Sequence, residues 1–424
     1  MDRSLQIAIA GGGIVGLTAA LSLHAAGFRP VVYEAVSKPA PLGVGVNLLP
    51  HAVRELTALG LLDELLGLGV AIEDLNYLTA NGELVWHEPR GLVAGYNWPQ
   101  IAIHRGQLQM FLLAKVRERL GQEAIRMGQE LAAVETIAGR AHARFVDRAS
   151  GKVAGVEADI LIGADGIHSA VRRQFYPDEG APRWNGITLW RSTSPVTAPM
   201  GGKAMIWAGR SSQKFVAYPI GKDPETGRDR LNWICDLKVT EDGAPPPRDW
   251  NRPGERADFM PRFAGWRWAG VDVPAIIAAS GPIYEFPMVD RDPLPQWTFG
   301  RVTLMGDAAH PMYPIGSNGA TQGIIDARVL AWHLARADAV EDALCRYEAD
   351  RREATARIVL MNRQQGPDRV LDLAAERLEG AAGRLEDLLP IAEREAIARS
   401  YKQTAGFDPA VLNASPDLSV SGPG

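Results

Sequence analysis

Residues 5–34, LQIAIAGGGIVGLTAALSLHAAGFRPVVYE, constrain the fold more than any other stretch. An apolar run over residues 5–10 stops at GGGIVG, residues 11–16, which fits the G-x-G-x-x-G template and leads into a helical pattern ending near Gly27. A second apolar run, Val31 to Tyr33, closes on Glu34. Strand, tight glycine turn, helix and second strand make a dinucleotide-binding βαβ unit. Gly11 permits the tight turn, Gly13 lets the backbone approach a pyrophosphate, and Gly16 lets the helix pack closely on the strand. The phosphates then meet the free N–H groups and positive dipole end of a helix starting near Ile14. Glu34 lies 23 residues beyond Gly11, near the roughly twenty expected of a carboxylate that grips a ribose hydroxyl. An acid there favours an unphosphorylated adenosine ribose, so FAD or NAD fits better than NADP; these residues do not choose between the first two.

The chain's 424 residues suffice for two or three packed units, and 46% apolar content with 22% charge is ordinary for a globular protein. A net charge of −5 gives no footprint for nucleic acid or an anionic membrane. Cys235 and Cys345 are far apart and form no C-x-x-C, so neither a disulfide framework nor a metal site is expected. The first strand begins almost at once, and no apolar run approaches the eighteen or so residues of a spanning helix. These features predict a cytoplasmic protein, as a monomer or a homodimer.

Further along, PLGVGVN at residues 41–47 is another glycine-marked turn, and an amphipathic helix follows over residues 50–59 with Gly60 as its cap. His51, in its first turn, reads as a surface or capping residue. Residues 75–86 alternate around Asn81-Gly82, the strongest short hairpin signal, and open a second sheet. A helix over residues 105–120 carries Leu108, Leu112, Val116 and Leu120 on one face. Arg105 at its start either holds a pyrophosphate bidentately or is simply solvated. Two more strands meet glycine–aspartate turns before helices: DILIGADGIHSAVR, residues 159–172, and RVTLMGDAAH, residues 301–310, with a Pro/Gly loop and a helix over 319–336 behind it. In a parallel sheet such junctions face the carboxyl edge, where ligands bind.

Residues 183–286 read as strands over 186–191, 204–208, 215–220 and 231–239, interrupted by polar loops over 221–230 and 241–256. With the hairpin they predict an antiparallel sheet forming one wall of a pocket. Seven of the 11 tryptophans lie here, at 184, 190, 207, 233, 250, 266 and 268, where sheet preference is the plainer explanation for each; Trp266-Arg-Trp268 is read as core packing. Helices rich in Ala, Glu, Leu and Arg follow to about Lys402, and residues 406–424 are expected to be a disordered tail.

In these motifs and their order the chain resembles the class A flavin-dependent aromatic monooxygenases, whose fold is that of p-hydroxybenzoate hydroxylase, over about residues 4–365. Within that family it most resembles the phenazine-carboxylate hydroxylases of pyocyanin biosynthesis, through residues 41–47, 77–91, 99–110, 217–220 and 287–295. The resemblance implies an α/β fold in which a Rossmann-like FAD-binding domain (1–70, 101–180 and 287–361) carries an inserted, mainly antiparallel substrate domain (71–100 and 181–286) and a C-terminal helical segment (362–405). It implies that Gly11, Gly13 and Gly16 hold the pyrophosphate, Glu34 the adenosine ribose and Arg105 the FAD chain. Gly306 and Asp307 would meet the ribityl chain or adjacent phosphate, and Asp165 would support the FAD fold and the approach of the nicotinamide. The loop from Pro314 through Gly316 and Asn318 to Gly319 would lie beside the isoalloxazine, with the following helix aimed at the flavin edge that becomes negative on reduction. Many members read G-Q-G-x-N here; this chain reads GSNGATQ over residues 316–322.

Trp190, Arg191, Tyr218 and Pro314 are the candidate substrate contacts. Tyr218, His310 and Pro314 are the catalytic candidates, although packing is the commoner role for the first two and no side chain need act covalently. The implied activity is hydroxylation of an aromatic or heteroaromatic compound through a flavin C4a-hydroperoxide, with non-covalent FAD, oxygen, and NADH or NADPH as transient co-substrate because no second G-x-G-x-x-G exists. A phenazine-1-carboxylate-like acid, hydroxylated with loss of carbon dioxide, is the implied compound class. Two other readings stay open: a flavin dehydrogenase or reductase without oxygen insertion, and a non-catalytic flavin-binding redox sensor.

Overall fold

The computed structural model describes residues 2–223, 225–241, 252–268, 270–380 and 383–420. Trp250 and most of the 241–256 loop lie outside them.

Strand β1 (Ile7–Ala10) is buried at every residue, as its unbroken apolar run requires of a strand covered on both faces. Helix α1 (Ile14–Ala25) returns the chain to β2 (Val31–Glu34), which pairs parallel to β1. The sheet grows to six strands, in the order Thr298–Phe299, Val302–Leu304, Ile160–Gly163, β1, β2, Ile125–Met127, parallel except at the first pair. Both glycine–aspartate turns therefore leave the carboxyl ends of strands on the same side of β1. A three-stranded antiparallel sheet over Gln129–Ile137, Arg140–Asp147 and Val153–Ala158 is inserted in the chain between the strands Ile125–Met127 and Ile160–Gly163.

The second sheet has seven strands, ordered Tyr284–Asp290, Arg183–Ser194, Asp229–Lys238, Gln213–Lys222, Ala204–Arg210, Asp74–Leu78, Leu84–Pro89. The last two are the Asn81-Gly82 hairpin, and the strand Asp74–Leu78 joins its neighbour in parallel. Alternation sorts the side chains. One face carries Leu189, Trp207, Val216, Ile234 and Met288 toward the first sheet, and the other buries Trp190, Phe215, Trp233 and Cys235. Two helices cover that outer face, Arg256–Phe263 and Val273–Ala278, where only strands and polar loop were expected. Phe259 and Phe263, four residues apart, both fully buried, dock the first of them. Trp266 is buried in the same cluster, as core packing predicts.

C-terminal helices Arg369–Gly380, Ile391–Thr404 and Pro409–Ala414 fold back over the molecule. Residues 406–420 are not the disordered tail expected of them: Phe407 and Leu412 are buried, the Tyr96 hydroxyl donates to the Phe407 carbonyl at 2.6 Å, and Arg328 donates to the Leu418 carbonyl at 2.8 Å. Two buried apolar side chains outweigh the polar composition around them; residues 421–424 lie outside the described set. Among the described residues no helix is long and apolar enough to cross a membrane. Cys235 is buried and Cys345 exposed, both unpaired.

Candidate active site

The three glycines of the first turn behave differently when a methyl group is placed on each. At Gly11, φ is +107° and a Cβ would lie 2.3 Å from the Ala164 carbonyl oxygen, so the two turns cross too closely for a side chain. At Gly16 a Cβ would lie 2.0 Å from the Gly11 carbonyl oxygen, which fixes the seat of α1. At Gly13, the residue capping α1, a Cβ would meet nothing within 4 Å. That opening lies at the helix N-terminus and lines a cavity of about 320 Å³ between the two sheets. Glu34 reaches the turn itself: one oxygen accepts the Gly12 N–H at 2.6 Å and the other the Val36 N–H at 2.7 Å. Gln109, on the helix Arg105–Leu120, donates to the Gly12 carbonyl at 2.9 Å and so ties Arg105's helix to the turn.

Arg105 and Asp307 both extend into the cavity and are open to solvent there. Protein surrounding Asp307 nonetheless pushes its carboxyl up, against the pull of His310 and Arg105. Pro314, Gly316 and Gly319 line the same cavity, and Ala164 and Gly166 border it. Asp165 does not: its carboxylate accepts the Ala170 N–H at 2.7 Å and caps the short helix Ala170–Phe175. Gly306 likewise works from behind, its N–H donated to Asp326 at 3.0 Å.

Two candidates prove to be interior ties. The His310 imidazole is 2.5 Å from Asp326, which also accepts from Arg351 at 2.7 Å. Burial would raise Asp326, but His310 and Arg351 hold it down at about 2. His310 is thus sealed behind the cofactor wall, away from any proton on a substrate. Asn318 is fully buried, donating to the Tyr401 hydroxyl at 2.9 Å, while its oxygen accepts from Gln322 at 3.0 Å. A Cβ on Gly316, where φ is +71°, would lie 1.9 Å from that hydroxyl, so the C-terminal helix fixes the loop by direct contact. His51, expected at the surface, is also buried: it stacks on Phe407 at 5.2 Å and lies 3.2 Å from the Gln322 amide. Burial, then Arg351 and Arg54, hold it down at about 3.

The substrate wall follows the alternation of the Arg183–Ser194 strand. Arg191 and Leu189 line the cavity, whereas Trp190, expected beside them, lies on the other face and stacks on Phe259 at 5.2 Å, outside the cavity lining. Trp207 is the one residue of the tryptophan group found lining the cavity among the described residues. Arg191 donates to the Gly45 carbonyl at 3.0 Å, and its Nε has no partner. Burial lowers its pKa, Tyr218 raising it in turn, while burial pushes the Tyr218 phenol up. Lys214, Asp236 and Asp368 complete the wall; none was singled out in the sequence, though a charge at an inward position of an apolar strand is the signal that marks the first two.

The open Gly13 turn at a helix N-terminus, with Arg105 and Asp307 in the same cavity, fits a pyrophosphate and its ribityl chain. A family model described as FAD binding domain matches residues 4–362. The chain belongs to that family. This flavoprotein is 45% identical over 366 residues to phenazine 1,6-dicarboxylic acid hydroxylase of Lysobacter antibioticus, covering 85% of this chain and 89% of that protein. It is 32% identical over 356 residues to aurachin C monooxygenase/isomerase of Stigmatella aurantiaca, covering 83% and 86%. Its fold is shared with a salicylate hydroxylase substrate complex (21% identity, TM-score 0.74, 99% of each chain) and with Klebsiella pneumoniae HpxO complexed with FAD and uric acid (23%, 0.72, 95% and 96%). The flavoprotein is an FAD-dependent aromatic hydroxylase of class A.

Proposed function

We propose that this hydroxylase acts on a planar heteroaromatic carboxylate of the phenazine class, with NADH or NADPH as transient reductant, and replaces the carboxylate by a hydroxyl with loss of carbon dioxide. The observation that carries the reading is a half-buried guanidinium, Arg191, beside an apolar wall made by Leu189, Trp207, Val216 and Ile234. The Lysobacter relative, named for a phenazine dicarboxylic acid, supports the same compound class.

FAD, when bound, supplies the reduction of oxygen and the transfer of one oxygen atom. The chain's residues do the rest. Arg191 offers a carboxylate a fixed fork of donors. The apolar wall holds the ring and excludes water. The helix Gly319–Arg336 presents free N–H groups at its start beside the cavity, where they favour negative charge. Oxygen added at a carbon bearing carboxylate lets the ring regain aromaticity by expelling carbon dioxide, so no side chain need serve as an acid in that step. No histidine or cysteine lines the cavity among the described residues, which supports non-covalent flavin released by acid. Two unpaired cysteines suit a cytoplasmic setting.

Incubation with phenazine-1-carboxylate, NADH and oxygen should give a product about 28 mass units lighter, the balance of losing carbon dioxide and gaining oxygen. A product about 16 units heavier means ring hydroxylation without decarboxylation. NADH consumption with no oxygen in any product, across phenazine, quinoline and benzoate acids, restores the reductase reading.

A further inference from the structure

The cavity face of the second sheet carries four charged side chains in one network. Lys214 lies 3.2 Å from Asp236 and also donates to Asp368. Arg191 stands opposite Ile234 and Leu189 opposite Asp236, so Arg191 and Asp236 are diagonal neighbours on one face, within reach of a long side chain. Each bears on the other's charge. The order is therefore Arg191, Asp236, Lys214, Asp368, with two cations balancing two carboxylates. Arg105 and Asp307 add one charge of each sign to the same cavity, and FAD, when bound, brings a negative pyrophosphate.

The two carboxylates are not equivalent. Burial pushes both up, and Lys214 and Arg191 pull Asp236 back. For Asp368 the pull of Lys214 is met by a further push from Asp236 and Asp372. Its side chain is fully buried and its Oδ1 has no hydrogen-bond partner, so the ionised form gives up water without a donor in return. Two phenols also face it, Tyr77 on the hairpin strand and Tyr401 on the C-terminal helix, and burial pushes both up. Behind them Glu88, Arg90 and Lys402 pair among themselves. Of the other elements packed on this turn, the loop Ile315–Ser317 brings no titratable side chain, and Arg363 of the helix Val340–Arg363 is turned to Asp290 and Asp292. Asp368 is the member of the network with the least compensation for its charge.

We propose that an acid ligand enters this cavity together with a proton, and that Asp368 takes the proton up. The ligand's carboxylate engages Arg191 and so draws from Asp236 one of its two cations. Asp236 then leans on Lys214. Asp368 is left with the smaller share of that ammonium and with one more negative charge in a cavity of low dielectric, so it is the group that protonates. The sign follows from linkage: the bound acid raises the aspartate, so acid binding is tightest at low pH and weakens as pH rises. A neutral ring of the same shape asks for no proton. Asp368 acts through Lys214 and Asp236 without touching the acid, and is a positioning residue. The inference rests on the aromatic-carboxylate reading and adds a residue to it from beyond position 362, where the family match ends.

The test is equilibrium binding of phenazine-1-carboxylate and of unsubstituted phenazine to the FAD-loaded protein between about pH 6 and 8.5, where the acid stays ionised. Perturbation of the flavin spectrum reads affinity, and calorimetry in buffers of different ionisation heat counts protons. Wild-type affinity for the acid should fall by about tenfold or more across this range, with roughly half to one proton taken up near pH 7, while affinity for phenazine stays within about twofold. Asp368→Asn should flatten the acid's pH dependence and bind the acid tighter than wild type at the upper end of the range. Flavin colour confirms that the variant has folded, and the wild-type proton count decides the matter even if it has not. Acid binding without proton uptake, an equal fall for phenazine, or an undiminished fall in Asp368→Asn overturns this inference and leaves the function reading standing. Failure of the acid to bind at any pH overturns both.

Discussion

Gly13 and Gly16 belong to one motif, yet alanine at each should fail in a different way. At Gly13 the backbone, with φ −74° and ψ −179°, suits any residue, and a methyl group meets nothing within 4 Å. Gly13→Ala should therefore leave the apoprotein's stability within about 0.5 kcal/mol of wild type. The methyl occupies the space through which a phosphate reaches the helix N-terminus, so charge-assisted hydrogen bonds worth about 1.5–3 kcal/mol are lost. FAD affinity should fall roughly ten- to hundredfold. At Gly16 the methyl would lie 2.0 Å from the Gly11 carbonyl oxygen, a backbone atom that cannot rotate away. Alanine's intrinsic helix gain of about 1 kcal/mol is then outweighed, since overpacking of this kind costs about 1–3 kcal/mol or more. Urea unfolding of the apoprotein measures the first effect and fluorescence titration with FAD the second. Wild-type FAD affinity in Gly13→Ala, or wild-type apoprotein stability in Gly16→Ala, would refute the division of labour.

Asp307→Ala should weaken FAD binding by about tenfold or more, whereas His310→Ala should leave affinity nearer wild type and instead lower the urea midpoint, because Asp326 loses a buried partner; equal FAD affinity in wild type and Asp307→Ala counts against the cofactor role. His51, held at about 3 against its usual 6.5, contributes stability that is fully present above about pH 6.5 and is lost as pH falls toward 3, up to a few kcal/mol at about 1.4 per unit. His51→Phe should flatten the fall of urea midpoint between pH 6.5 and 4, and an unchanged slope would be the contrary result. Tyr401→Phe removes a hydroxyl bonded to Asn318, Asn362 and the Ile315 carbonyl. It should cost about 1–3 kcal/mol and raise the share of NADH oxidised without hydroxylated product; wild-type coupling would show that the contact does not steady the loop.

Much of the cofactor half was legible because its signals are local. A glycine turn between an apolar strand and a helix needs only neighbouring residues to be recognised, and the helices Arg105–Leu120 and Gly319–Arg336 fall where periodicity put them. The substrate half was legible as strands but not as faces. Arg191 and Trp190 are adjacent, and which one meets the cavity depends on the sheet's orientation against a partner far away in sequence. The same limit hid the helix Arg256–Phe263, since its apolar residues read as isolated until a sheet face lay beneath them. His51 was misjudged for a related reason: its partner, Gln322, lies 271 positions away along the chain.

The C-terminal segment packs against the cavity from outside the residues that the family model matches. The residues that match the family end at 362, and they already contain the glycine turn, Arg105, Asp307 and the loop from Pro314 to Gly319. The chain beyond residue 362 adds no motif of its own, yet it touches the cavity at two places. Tyr401 fills the space over Gly316 so that the loop cannot move toward the protein interior, and Asp368 supplies one of the two carboxylates around Lys214. Phe407 then closes over His51, coupling that segment through Gln322 to the helix behind the loop. Because these contacts are steric and electrostatic rather than motif-like, the segment can vary without loss of the cofactor site, and changes there should alter which ring is accepted before they alter whether flavin is held.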